Sequence, residues 1–85
     1  MDNATTLFDQ LSDEELIKVG QHHADRFNRA WGTVMRTHYK SGQHIDAHDT
    51  MDRQYEVLGV LSRYVRTHRP AGFYEDFCAA INWKG

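Results

Sequence analysis

The stretch Asp46–His68, DAHDTMDRQYEVLGVLSRYVRTH, decides the fold. Its first half carries one apolar stripe, stepping by three and four through His48, Met51, Tyr55 and Leu58, the period of an α-helix. In its second half Val57, Leu58, Val60, Leu61, Tyr64 and Val65 spread over much more of the circumference. A helix apolar on one stripe packs against one neighbour; a helix apolar nearly all round is covered from several sides. The spacing predicts a central helix over 46–68, begun by Asp46 as cap and stopped by Pro70, which keeps the residue before it out of helical geometry.

Upstream, Ser12-Asp13-Glu14-Glu15 is a capping box. Ser12 and Glu15 can each accept from the other's backbone amide, Leu11 can staple onto Leu16, and the acids complement the positive end of the helix dipole. From there an apolar set runs through Leu16, Val19/Gly20, His23/Ala24, Phe27, Ala30/Trp31, Val34 and His38. This predicts a first helix over 12–40, ended by Gly42 in the left-handed conformation. Gly20 and Gly32 inside it mark positions of close helix approach or a bend. Downstream, Gly72 opens a short helix over 72–82 with Phe73, Phe77 and Ile81 on one face, and Trp83 follows it. Residues 1–4 read as a frayed end, and Thr5 or Thr6 as the cap of a turn carrying Leu7, Phe8 and Leu11.

The expectation is an all-α single domain over 1–85. A long antiparallel hairpin (12–40 with 46–68) has a short N-terminal turn and a short C-terminal helix packed at its open end. Charge supports the pairing: each long helix is acidic early (Asp13, Glu14, Glu15; Asp46, Asp49, Asp52, Glu56) and basic late (Arg26, Arg29, Arg36, Lys40; Arg63, Arg66, Arg69).

Composition excludes several classes. One cysteine, Cys78, forms no intramolecular disulfide and fits a reducing compartment, so the expected location is the cytoplasm. The start Met1-Asp2-Asn3 lacks the basic and apolar runs of a targeting segment, and Val57–Leu61 is too short to cross a bilayer. The net charge of −2 argues against a basic nucleic-acid binder. Cys78 lies in apolar Phe77-Cys78-Ala79-Ala80 and reads as an inert core filler, Ser41 and Ser62 lack a motif, and the glycines form no phosphate loop. No enzyme activity and no cofactor are expected.

Three readings of function remain. The short end segments cover the open end, leaving apolar residues at the hairpin tip with one neighbour; such a patch marks an interaction surface. Its contact residues are Met35, Arg36, Tyr39, Lys40, Ile45, His48, Met51 and Tyr55, facing a protein partner or, as a homodimer seam, a second copy. This makes the chain a non-catalytic regulator or inhibitor, comparable as a class, though not by motif, with small inhibitors of phages and mobile elements. The second reading uses Arg63, Arg66 and Arg69 on nucleic-acid phosphates. The third holds a divalent metal on His38, His44 and His48 with Asp52.

Overall fold

The computed structural model describes residues 7–83. The frayed end expected at 1–4 and the Thr5/Thr6 cap lie outside them. The described residues form three helices, α1 (Asp13–Arg36), α2 (Gly42–His68) and α3 (Ala71–Ile81), after a helical turn over 7–9. The all-α hairpin architecture is as expected. Among the described residues no helix is long and apolar enough to cross a membrane.

Local chemistry sets the outer helix ends. Ser12 Oγ accepts from the Glu15 amide at 3.2 Å, and Glu15 Oε1 accepts from the Ser12 amide at 3.0 Å. That bonding holds the Glu15 carboxyl below its ordinary value, the bond from the Ser12 backbone acting most strongly. Arg69 ends α2 in extended geometry ahead of Pro70, and Asn82, in the left-handed region at φ 52°, ends α3.

The inner ends differ from expectation. α1 stops at Arg36, not Lys40, and α2 starts at Gly42, not Asp46. Thr37 turns extended and bonds its hydroxyl back to the Thr33 carbonyl at 2.7 Å. Ser41 is the cap of α2: its Oγ accepts from the His44 amide at 3.2 Å and donates to the His38 carbonyl at 2.8 Å. Gly42 is therefore the first residue of a helix and has no positive φ. Two β-branched or hydroxyl side chains that satisfy backbone groups locally outweigh the glycine as punctuation.

The core joins Leu16, Ala24 and Phe27 of α1, Leu58, Leu61, Tyr64 and Val65 of α2, and Phe77 and Ile81 of α3. Burying each of the largest of these side chains contributes about 1.5–3 kcal/mol. α3 lies against α1 at Gly20, where an added Cβ would stand 2.7 Å from Ile81 Cγ2 and 2.9 Å from the Phe77 ring. Gly20 is thus the close approach its position suggested; at Gly32 the nearest neighbour is the Arg36 side chain at 3.5 Å, an ordinary contact. Side chains of α1 also reach the end of α3, Gln21 to the Ala80 carbonyl at 3.2 Å and Asn28 to the Asn82 carbonyl at 2.9 Å.

The open end is closed by a polar clasp. Arg69 pairs with Asp13 at 2.5 Å and donates to the Leu11 carbonyl at 2.9 Å, its side chain 18% exposed. Tyr64 donates to Asp9 at 2.5 Å, and the Phe8 ring packs on it at 5.2 Å. Burial, with the bond to Asp9 behind it, pushes the Tyr64 hydroxyl above its ordinary pKa.

Arg69–Asp13 is the one ion pair between helices among the described residues. The others, Asp25–Arg29, Asp49–Arg53 and His48–Asp52, lie within a helix at i,i+4. The register is therefore held by the apolar seam and the clasp, and the opposed acidic and basic halves add no direct bridges elsewhere.

Candidate functional site

The seam of α2 runs through Ala47, Gln54, Leu58, Leu61 and Val65, all buried. It is not the stripe His48–Met51–Tyr55 expected for the early half. His48 and Tyr55 are exposed and Met51 half-buried. Stepping back by four and seven from Leu58 gives Gln54 and Met51, and the frame set by the large late residues fixes which early residues face inward. The buried Gln54 is acceptable there because its Oε1 lies 2.6 Å from His23 Nδ1. The amide oxygen only accepts, so Nδ1 carries the proton.

Two parts of the surface keep large apolar side chains exposed. The first is the tip half. Met35 is 67% exposed, Tyr39 65%, Ile45 57% and Tyr55 57%. Lys40 lies over the Tyr39 ring at 5.5 Å, and the His38 ring stacks on Tyr39 at 4.7 Å. Arg36 and Lys40 are exposed at this end, so the tip is apolar with a basic rim.

These residues do not share one face. Counting about 100° per residue from Gln54, Ile45 lies about 180° from the seam and Tyr55 about 100° to one side of it. Tyr55 also gains a neighbour that sequence reading did not foresee. Trp83 packs edge-on against both Phe27, at 5.7 Å, and Tyr55, at 5.5 Å. The segment after α3 therefore reaches the middle of the hairpin, and the tip is more covered there than expected. Its indole Nε1 is buried with no hydrogen-bond partner among the described residues.

Trp31, 40% exposed, was expected on the packed face of α1 and is a surface residue missed by that reading. It follows Gly20, Ala24 and Phe27 around the helix, beyond the end of α3. The signal that could have found it is the length of the final helix. Eleven residues cannot cover a hairpin arm of twenty-four.

The second exposed region is on the opposite flank of α2. Val57 and Val60, expected to be covered by the N-terminal turn and the final helix, remain 37% and 43% exposed, and Leu7 of that turn is 63% exposed. Phe8, Glu56, Val57 and Val60 line an apolar groove of about 330 Å³. The single turn held by the clasp packs Phe8 against Tyr64 and supplies one wall of this groove, while Val57 and Val60 stay part-exposed.

The residues of the other readings are placed as follows. Arg69 is engaged in the clasp, while Arg63 and Arg66 are exposed and form no ion pair among the described residues. His44 and His48 stack at 6.5 Å between ring centres. His44 Nδ1 is 3.2 Å from the Thr37 hydroxyl, His48 Nδ1 is 3.5 Å from Asp52, and His38 Nδ1 accepts from the Lys40 amide at 3.1 Å. Among the described residues no three His, Cys, Asp or Glu side chains converge on a common point where a metal ion could sit. Cys78 is exposed rather than a core filler, because α3 is buried only along Phe77 and Ile81. A hydrogen bond between Cys78 and Tyr74 raises the Tyr74 pKa above its ordinary value.

Compared with protein-family models, curated proteins and solved structures, the chain finds no match.

Proposed function

We propose that this chain is a non-catalytic protein-binding module, a small regulator or inhibitor of a larger protein, that engages its partner through the hairpin tip. The observation that carries this reading is the concentration of Met35, Tyr39 and Ile45, each more than half exposed, beside Arg36 and Lys40 at the end farthest from the core. Aromatic and arginine side chains are the types that supply most binding energy when an interface desolvates them. The chain's class is that of small phage and mobile-element inhibitors, and its compartment the cytoplasm.

Affinity capture from host lysate, followed by binding to the purified captured protein, tests it. Met35→Ser with Tyr39→Ser should weaken that binding at least about tenfold, which is about 1.4 kcal/mol. Val60→Ser, in the flank groove, should leave it unchanged. A partner bound equally well by the tip variant removes the basis of the reading.

A further inference from the structure

His44 and His48 stand one turn apart at the start of α2, their ring planes 23° apart and their centres 6.5 Å apart. Hydrogen bonds fix which nitrogen of His44 carries a proton. The Thr37 hydroxyl has one proton, and the Thr33 carbonyl, which can only accept, takes it at 2.7 Å. The same oxygen lies 3.2 Å from His44 Nδ1 and accepts there, so Nδ1 is protonated and Nε2 keeps its lone pair. At His48 the neighbour is the Asp52 carboxylate, which also only accepts and lies 3.5 Å from Nδ1. In its neutral form that ring too keeps its lone pair on Nε2. His38 is the opposite case. Its Nδ1 accepts from the Lys40 amide at 3.1 Å, so its proton is on Nε2.

We propose that His44 and His48 form a two-nitrogen site for a divalent transition-metal ion such as zinc, with water completing the coordination. Imidazole suits ions of this kind. A ligating histidine gives its other ring N–H to an acceptor that orients the ring and raises its basicity, and Thr37 and Asp52 are placed to do this as positioning residues. Zinc–nitrogen bonds of about 2.0–2.1 Å hold two nitrogens no more than about 4.2 Å apart. His48, its side chain 61% exposed, is free to turn its ring into that range. The surrounding charge does not oppose a cation. Lys40 lies over the Tyr39 ring, Arg36 lies back along α1 against Gly32, and Asp52 is beside the pair. Arg53, paired with Asp49, is about 140° round the helix from His48. Among the described residues no third ligand converges on the pair. Two protein ligands bind far more weakly than the four of a structural zinc site, with a dissociation constant of roughly 1–100 μM. The site needs no protein partner, so it stands or falls apart from the function proposed above.

Titration of the full chain with zinc chloride, followed by calorimetry and by imidazole ¹⁵N spectra, tests it. The expected result is one ion per chain, with affinity reduced at least about tenfold in His44→Ala and in His48→Ala and unchanged in His38→Ala. The spectra should show Nδ1 protonated in His44 and His48 before and after zinc, and the metal-induced shift at Nε2 of those two rings alone. Thr37→Val keeps both ligands; it should weaken binding several-fold and abolish the tautomer preference of His44. Circular dichroism should show unchanged helix content in all four variants. No binding up to about 1 mM zinc overturns the proposal, that being the weak end of the affinity scale. Binding that survives either ligand variant intact overturns it, as does a metal-induced shift centred on His38.

Discussion

The open half and the tip half of the hairpin are built from the same two helices and carry opposite balances of cover and exposure. In the open half Leu16, Leu58, Leu61, Val65 and Phe77 are fully buried, and three segments besides α2 meet there. In the tip half α2 buries only Ala47 and Gln54, a small residue and a polar one, while Met35, Tyr39 and Ile45 face outward. A chain of 85 residues has little core to distribute. Here the core is gathered at one end, and the other is left as two arms held by a thin seam with one part-buried polar pair, His23 with Gln54. Substitutions at the exposed tip can therefore change its surface without disturbing the core.

Mutation at the core end should show the largest effect. Phe77→Ala, which empties a fully buried ring site beside Gly20, should cost about 3–5 kcal/mol of unfolding free energy in denaturant titration. A loss near 1 kcal/mol would mean that α3 is not part of the stable unit. Next is the clasp. Arg69→Ala removes a partly buried ion pair and the donor to the Leu11 carbonyl, and should cost about 1–3 kcal/mol. It should also speed amide exchange over 7–11 more than over α1; equal acceleration everywhere would deny that the clasp holds the N-terminal turn. At the tip, Met35→Ala and Tyr39→Ala should change stability by no more than about 0.5 kcal/mol, as surface substitutions do. A larger loss would show that the tip is packed after all.

The smallest effect is a pH dependence. The Glu15 carboxyl has a folded pKa below its ordinary 4.5. It binds a proton more readily in the unfolded chain, so its contribution is present above pH 4.5 and is lost as pH falls through the folded value. Glu15→Gln keeps an amide that can complete the capping box and should flatten the acid limb of a thermal-midpoint profile while leaving the neutral value nearly intact. An unchanged acid limb would assign that dependence to other carboxylates.

What could be read in the sequence was what is local. The capping box at Ser12, the stop before Pro70 and the close approach at Gly20 follow from residues adjacent in the chain or from a missing side chain. The helix ends at the tip were misjudged because Thr37 and Ser41 satisfy backbone groups with their hydroxyls, a choice that competes with Gly42 and Asp46 at nearly equal strength. The early seam of α2 was displaced by one residue because the partner of Gln54, His23, lies thirty-one residues away. A buried polar residue is recognisable only once its partner is known. The candidate surface was half legible. Met35, Tyr39 and Ile45 are exposed as the unequal helix lengths imply, but Trp83 reaching Tyr55, and Val57 and Val60 left open, depend on where a short turn and a short helix come to rest.

Amide hydrogen exchange along α1 and α2, recorded for the chain alone and saturated with its captured partner, tests the division between the two halves most directly. The account predicts slow exchange in residues 58–66 in both states, and faster exchange in 34–48 that slows when the partner binds. Protection gained over 7–13 and 57–66 with no change at 34–48 would contradict it.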